Sequence, residues 1–225
     1  MMTSERFERR AGWAGIVFFV VFAAGAVLGA VVGNSGDTRA EVVAAYGDGG
    51  DNLMRELSAF LLTLALIPFV PFVIGLCSRV GGRDGEERGL SIVALVGGVL
   101  MAGFLALTNV LSVAVPASEE SLNDYVVNAD VAQTFEVASW WSLNFISVAG
   151  TLLVGATALA ARRTGALPRW LAVTGIAVAV IGLAGFFTWG LSILLEILWL
   201  LAASIVLART SPATAAVRQP ALGSA

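Results

Sequence analysis

Residues 12–32 read GWAGIVFFVVFAAGAVLGAVV, an uninterrupted run of apolar and small residues directly behind Arg9 and Arg10. An α-helix needs about 20 such residues to cross the hydrocarbon core of a bilayer. The run therefore reads as a membrane span. A secretory signal peptide is the competing reading, because Ala24-Gly25-Ala26 resembles a cleavage site. The apolar run exceeds the ~7–15 residues of a signal's apolar region, which favours a retained anchor.

Five stretches of the same kind follow, at approximately 57–77, 90–114, 138–160, 170–187 and 190–208. The whole chain agrees with them. Its 225 residues are 58% hydrophobic and 13% charged, with a mean hydropathy of +0.87. One water-soluble core of this length has no room for so much apolar surface. The expected fold is an all-α polytopic membrane helix bundle of six transmembrane helices, one integral domain, with 209–225 as a disordered cytoplasmic tail.

Arginine placement orients the spans. Arg6, Arg9 and Arg10 precede span one; Arg79, Arg83 and Arg88 separate spans two and three; Arg162, Arg163 and Arg169 separate four and five; Arg209 and Arg218 follow span six. With six spans these segments share one side, and the other side keeps only Arg39 and Arg55. The positive-inside rule then puts both termini in the cytoplasm, and the all-Arg, Ala- and Gly-rich composition suggests a bacterial inner membrane. The outer side is acidic, with Asp37, Glu41, Asp48, Asp51 and Glu56 in its first loop and Glu119, Glu120, Asp124, Asp130 and Glu136 in its second.

Both outer loops carry helix-start signals, so a short amphipathic helix is expected in each. Thr38-x-x-Glu41 has capping-box spacing, and Asp130-x-x-Gln133 has the spacing to cap a helix that runs through Trp140 and Trp141 into span four. The last outer connection, around Trp189-Gly190, is short enough to make spans five and six a tight hairpin.

The missing residue types bound the chemistry. No His or Lys is present and Cys77 is the sole cysteine, which excludes intrachain disulfides, His-ligated haem, Cys/His zinc sites and Lys Schiff bases. A net charge of −3 offers nothing basic enough for nucleic acid. There is no phosphate-cradling loop, Gly-x-Ser-x-Gly elbow or metal-ligand constellation, so no cofactor or metal is expected.

Glu196 stands out, embedded in Leu194-Leu195-Glu196-Ile197-Leu198. An acid near the centre of a span costs ~2.5–3.5 kcal/mol on insertion scales and so should face the bundle or a hydrated cavity. It is either a protonated carboxyl that ties helices together by hydrogen bonds or a proton or ligand site. Counted inward from the outer ends at ~1.5 Å per residue, Glu196 lies roughly 10 Å deep, and Asn109 and Asn144 roughly 8–9 Å. Thr63 falls at a similar level, so these four residues form the candidate ligand or proton site.

Helical spacing groups Trp140, Asn144, Ser147, Thr151 and Gly155 on one face, and Ser192, Glu196, Trp199 and Ala203 on another. Gly98, Ala102, Leu105, Asn109 and Ser112 form a third. Gly25-x-x-x-Gly29-x-x-x-Gly33 in span one permits close approach of a neighbour, within the chain or in a second copy. Pro68 and Pro71 should bend span two, and Trp13, Trp140, Trp141, Trp170 and Trp189 read as interface anchors.

One stretch carries a family likeness. Gly165-Ala166-Leu167-Pro168-Arg169-Trp170-Leu171, with Gly175 behind it, resembles the GxLPRxLxxxG junction before the fifth helix in a bacterial family of small membrane proteins, domain-of-unknown-function 4386. The Arg-led first span, the Asn52-Leu53-Met54-Arg55-Glu56-Leu57 start of span two and two sizeable outer loops extend the likeness. The family carries no assigned activity, so the resemblance implies architecture and no catalytic residues.

The leading expectation is a non-enzymatic binding, sensory or assembly component that works through its outer loops and membrane cavity. The alternative is a small-solute or proton-coupled transporter built around Glu196, and an intramembrane lipid-modifying enzyme ranks below it. Expected partners are membrane lipids, and a second copy or another protein docking through span one or the outer loops.

Overall fold

The computed structural model describes residues 2–32, 38–46, 49–81, 85–121, 126–188 and 190–209. The expected tail beyond residue 209 and the expected anchor Trp189 lie outside the described residues. The elements are α1 (Met2–Val32), α2 (Arg39–Tyr46), α3 (Gly49–Val80), α4 (Glu86–Ser121), α5 (Ala129–Thr164), α6 (Arg169–Leu183), α7 (Gly185–Thr188) and α8 (Gly190–Arg209). Among the described residues there is no strand.

Five helices, α1, α3, α4, α5 and α8, are long and apolar enough to cross a membrane. The expected span at 170–187 differs: it is split into the 15-residue α6 and the four-residue α7. The break follows from local chemistry. Gly182 and Gly185 lower helix propensity on either side of Ala184, whose N–H donates to Ile181 O three residues back at 3.0 Å and tightens the last turn. Pro68 and Pro71, in contrast, leave α3 continuous.

Contacts between neighbours fix an alternating up-and-down order. Gly75 of α3 sits on Ala11 of α1 while Gly25 of α1 sits on Leu62 and the Ser58 carbonyl, so α1 and α3 are antiparallel. The same reading follows for α3 and α4 from Gly98 on Val73 and Ser91 near Gly81, and for α4 and α5 from Gly97 on Leu153 and Thr108 on Ser142. Gly175 on Ala158 and Gly182 on Thr151 place α6 against α5, and α8 returns alongside both. The ring closes where Gly12 of α1 meets Ala208 of α8. A Cβ at Gly12 would lie 2.3 Å from the Ala208 nitrogen, so this crossing accepts only glycine. The start of α1 and the end of α8 therefore share one end of the bundle.

Gly25 and Gly29 both pack on α3, which places these two members of the small-residue motif inside the chain; Gly33 lies outside the described residues. Phenylalanines fill the space behind them, with the Phe18 and Phe69 rings 4.8 Å apart and Phe72 fully buried. The outward faces carry exposed Val17, Val20, Phe60, Ile67, Val99 and Leu198, a surface suited to lipid rather than water.

At the arginine-rich end, Arg79 pairs with Glu8 at 2.7 Å and Arg163 pairs with Glu86. Gly165 ends α5 at φ 64°, the left-handed region, and returns its N–H to Ala161 O. At the opposite end, α2 forms the cap expected from the first outer loop. Thr38 N–H donates to Glu41 Oε2 at 3.0 Å and Glu41 N–H to Thr38 Oγ1 at 3.3 Å, a reciprocal capping box. Val42 and Tyr46 seat this helix on Val115, Ala129 and Ala132. The connection between α4 and α5, the other expected outer loop, carries no separate short helix among its described residues. Its helical part is continuous with α5, and the cap is Asn128 rather than Asp130, because Asn128 Oδ1 accepts from the N–H groups of Asp130 and Val131.

Candidate functional site

Glu196 is fully buried on α8. Thr151 of α5 donates to its Oε1 at 3.1 Å, and Ser147 Oγ lies within hydrogen-bond distance of both that oxygen, at 3.4 Å, and Ser192 Oγ, at 2.9 Å. Oε2 has no hydrogen-bond partner among the described residues. Glycines close the remaining space: a Cβ at Gly150 would lie 2.1 Å from Oε2, and one at Gly182 would lie 2.7 Å from Oε1. The carboxyl thus joins α5, α6 and α8 in one tightly packed contact. One turn further on, Trp199 Nε1 donates to Leu171 O at 2.8 Å and continues the same seam.

The helical faces read from spacing are assembled in part. Ser192, Glu196, Trp199 and Ala203 are all buried, and Ser147 and Thr151 of α5 meet them. The four-residue depth level is not. Thr63 is exposed on α3, and Asn144 is half-buried one helical turn beyond Ser147. Asn109 is buried on α4 beside Thr108, whose Oγ1 meets Ser142 of α5, nine residues along α5 from the Thr151 that bonds Glu196. That offset is roughly 14 Å. Equal counting failed because α4 and α5 continue to Ser121 and back to Ala129, well beyond the level at which α8 begins.

Open volume lies elsewhere, beneath the α2 cap. A cavity of about 170 Å³ is bounded by Gly29 and Val32 of α1, Tyr46 of α2, Arg55 and Ser58 of α3, Ser112 of α4, and Glu136, Ser139 and Trp140 of α5. Arg55 lies over the Tyr46 ring, 4.7 Å from its centroid. Its Nε and Nη2 are buried and lack a hydrogen-bond partner among the described residues.

The serines in this wall already use their protons. Ser58 donates to Gly25 O at 2.8 Å, Ser112 to Asn109 O at 2.9 Å and Ser139 to Thr108 O at 3.4 Å. The donors left for an incoming molecule include Nε and Nη2 of Arg55. One edge of a guanidinium, Nε with Nη2, matches the two oxygens of a carboxylate or phosphate. Below the cavity, Asn109 is buried on α4 one turn inward from Ser112, and its Nδ2 also lacks a partner among the described residues. Further in, Phe18, Phe22, Phe69, Met101 and Leu105 surround an apolar void of about 50 Å³.

Sequence reasoning passed over Arg55, although a signal for it exists. Arg39 and Arg55 are the two arginines on the acidic side, and Arg39 is accounted for by its exposed pair with Asp130 at 2.8 Å. Arg55 is the one turned inward, against the general trend that arginine near a span reaches for water.

No family model, no curated protein and no solved structure matches this chain.

Proposed function

We propose that the protein is a non-enzymatic binding or sensory component of a bacterial inner membrane, which captures a small organic anion from the outer side in the cavity beneath α2. The observation that carries this reading is the Arg55 guanidinium edge, buried beside about 170 Å³ of open volume and without a hydrogen-bond partner among the described residues. Buried guanidinium N–H groups without hydrogen-bond partners are costly, and a bound carboxylate relieves that cost.

Six spans with both termini cytoplasmic are part of this proposal. The alternating order of α1, α3, α4, α5, α6 and α8 supports it, as does the clustering of Arg79, Arg162, Arg163, Arg169 and Arg209 at one end. On this reading α6 and α7 together complete the fifth crossing. The likeness to domain-of-unknown-function 4386 proteins is part of the same architectural proposal. The close packing of Gly150 and Gly182 on the Glu196 carboxyl supports a structural role for that residue over a solute site.

Titration calorimetry on the full-length protein in nanodiscs tests the binding reading, with acetate, benzoate, glycine and inorganic phosphate as probes. Saturable binding of a carboxylate probe, weakened at least about tenfold in Arg55→Gln, is expected for loss of a charge-assisted bidentate contact. Equal binding by Arg55→Gln, or no binding of any probe at millimolar concentration, overturns it.

A further inference from the structure

The arginine-rich end carries a second recess that the outer cavity does not use. It is an open groove of about 520 Å³, where the last two turns of α8 pass the 165–168 connection and the start of α6. One wall is apolar, formed by Leu167, Ala202, Ile205 and Val206. The rim holds Arg79, Arg209 and the exposed Trp170.

The charges on this rim are unevenly matched. Arg79 donates from Nη1 to Glu8 at 2.7 Å and from Nε to Ala166 O at 3.4 Å, which leaves Nη2 without a partner among the described residues. Arg209 is exposed and makes no ion pair among the described residues. Two guanidinium groups thus face one carboxylate, beside an apolar wall at the level marked by an interfacial tryptophan.

We infer that this groove seats one anionic phospholipid, its phosphate on Arg209 and Arg79 Nη2 and the first part of an acyl chain along Ala202 and Ile205. The charge surplus calls for an anion, and the apolar wall calls for a chain attached to it. A soluble phosphate would use the rim and leave the wall wet. A zwitterionic lipid would bring a second cation to a rim that already has one too many. Basic recesses between helices on the cytoplasmic side are suited to anionic headgroups for these reasons.

Native mass spectrometry of the full-length protein, titrated in detergent with phosphatidylglycerol or phosphatidylcholine of matched chains, tests the assignment. One phosphatidylglycerol is expected to bind at least about fivefold more tightly than phosphatidylcholine, the discrimination that one surface arginine supplies. Arg209→Gln should abolish that preference. Ala202→Trp, which fills the apolar wall, should weaken both lipids, and size-exclusion profiles identify any variant that fails to fold. Equal affinity for the two lipids, or phosphatidylglycerol binding unchanged in both variants, overturns the inference. Displacement of phosphatidylglycerol by millimolar inorganic phosphate, with Ala202→Trp behaving as wild type, also overturns it and assigns the rim to free phosphate.

Discussion

Replacing Gly150 by alanine places a methyl group 2.1 Å from Glu196 Oε2 and 2.7 Å from its carboxyl carbon. The carboxyl has little room to retreat, since Oε1 is held by Thr151 and the Gly182 face closes the other side. Overpacking of this kind costs about 1–3 kcal/mol. Displacing the carboxyl from Thr151 adds the value of one intramembrane hydrogen bond, about 0.6–1.7 kcal/mol. Gly150→Ala should therefore destabilise the bundle by about 2–4 kcal/mol. Glu196→Ala alone removes the same hydrogen bond and leaves a void, at about 1–3 kcal/mol. In the double variant the new methyl enters the space vacated by the carboxyl, so the two effects should not add. The double variant is expected to be at least about 1 kcal/mol more stable than the sum of the singles. Reversible unfolding in mixed micelles, followed by tryptophan fluorescence, gives all four corners of the cycle. Additivity within about 0.5 kcal/mol would show that the two residues do not share one filled contact, and the structural account of Glu196 would fail.

Gly165 and the capping box give two further tests. Gly165 holds φ 64° with no heavy atom within 4 Å of a built Cβ, so Gly165→Ala should cost about 1–2 kcal/mol through backbone strain alone. Gly165→Asn should recover much of that loss in the same unfolding assay, because asparagine tolerates the left-handed region; equal loss by the two variants would count against the strain argument. Thr38→Ala removes the side-chain acceptor for Glu41 N–H and should destabilise α2 by about 1 kcal/mol. Hydrogen exchange is then expected to quicken across 39–46 and stay unchanged in α3 and α8, and a global change would show that the cap is not an independent unit.

What was legible in the sequence was what local chemistry decides. Apolar runs gave α1, α3, α4, α5 and α8, and Thr38 with Glu41 gave the start of α2, because each signal lies within a few residues of its effect. The split of the 170–187 stretch was less visible. Its mean apolarity is high throughout, and the two glycines that lower helix propensity there, Gly182 and Gly185, stand out only once Thr151 and Ser147 of α5 are seen packed against them. Depth counting misplaced Asn109 and Thr63 for a related reason: it assumes that helices end at a common plane, whereas α4 and α5 project beyond α8. Helical periodicity did better, since Ser147, Thr151, Ser192 and Glu196 share a contact that spacing on two separate helices had suggested.

Glu196 and Arg55 show why an ionisable residue in an apolar helix does not by itself locate a binding site. Both carry buried polar atoms without hydrogen-bond partners among the described residues. Around Glu196 the neighbouring positions are glycine and small hydroxyl residues, and the carboxyl occupies the space that the absent side chains of Gly150 and Gly182 leave. Around Arg55 the serine hydroxyls are turned to backbone carbonyls, Tyr46 supports the guanidinium from one face, and open space lies alongside. A ligand needs both an unsatisfied group and room to reach it. Arg55 has both, and it sits under a cap helix held by the apolar contact of Val42 and Tyr46, the hydrogen bond from Asn52 Nδ2 to Tyr46 O, the Arg55 guanidinium on the Tyr46 ring and the exposed Arg39–Asp130 pair. On the proposed reading a ligand reaches Arg55 by displacement of this one short helix, whereas one at Glu196 would require separation of α5, α6 and α8.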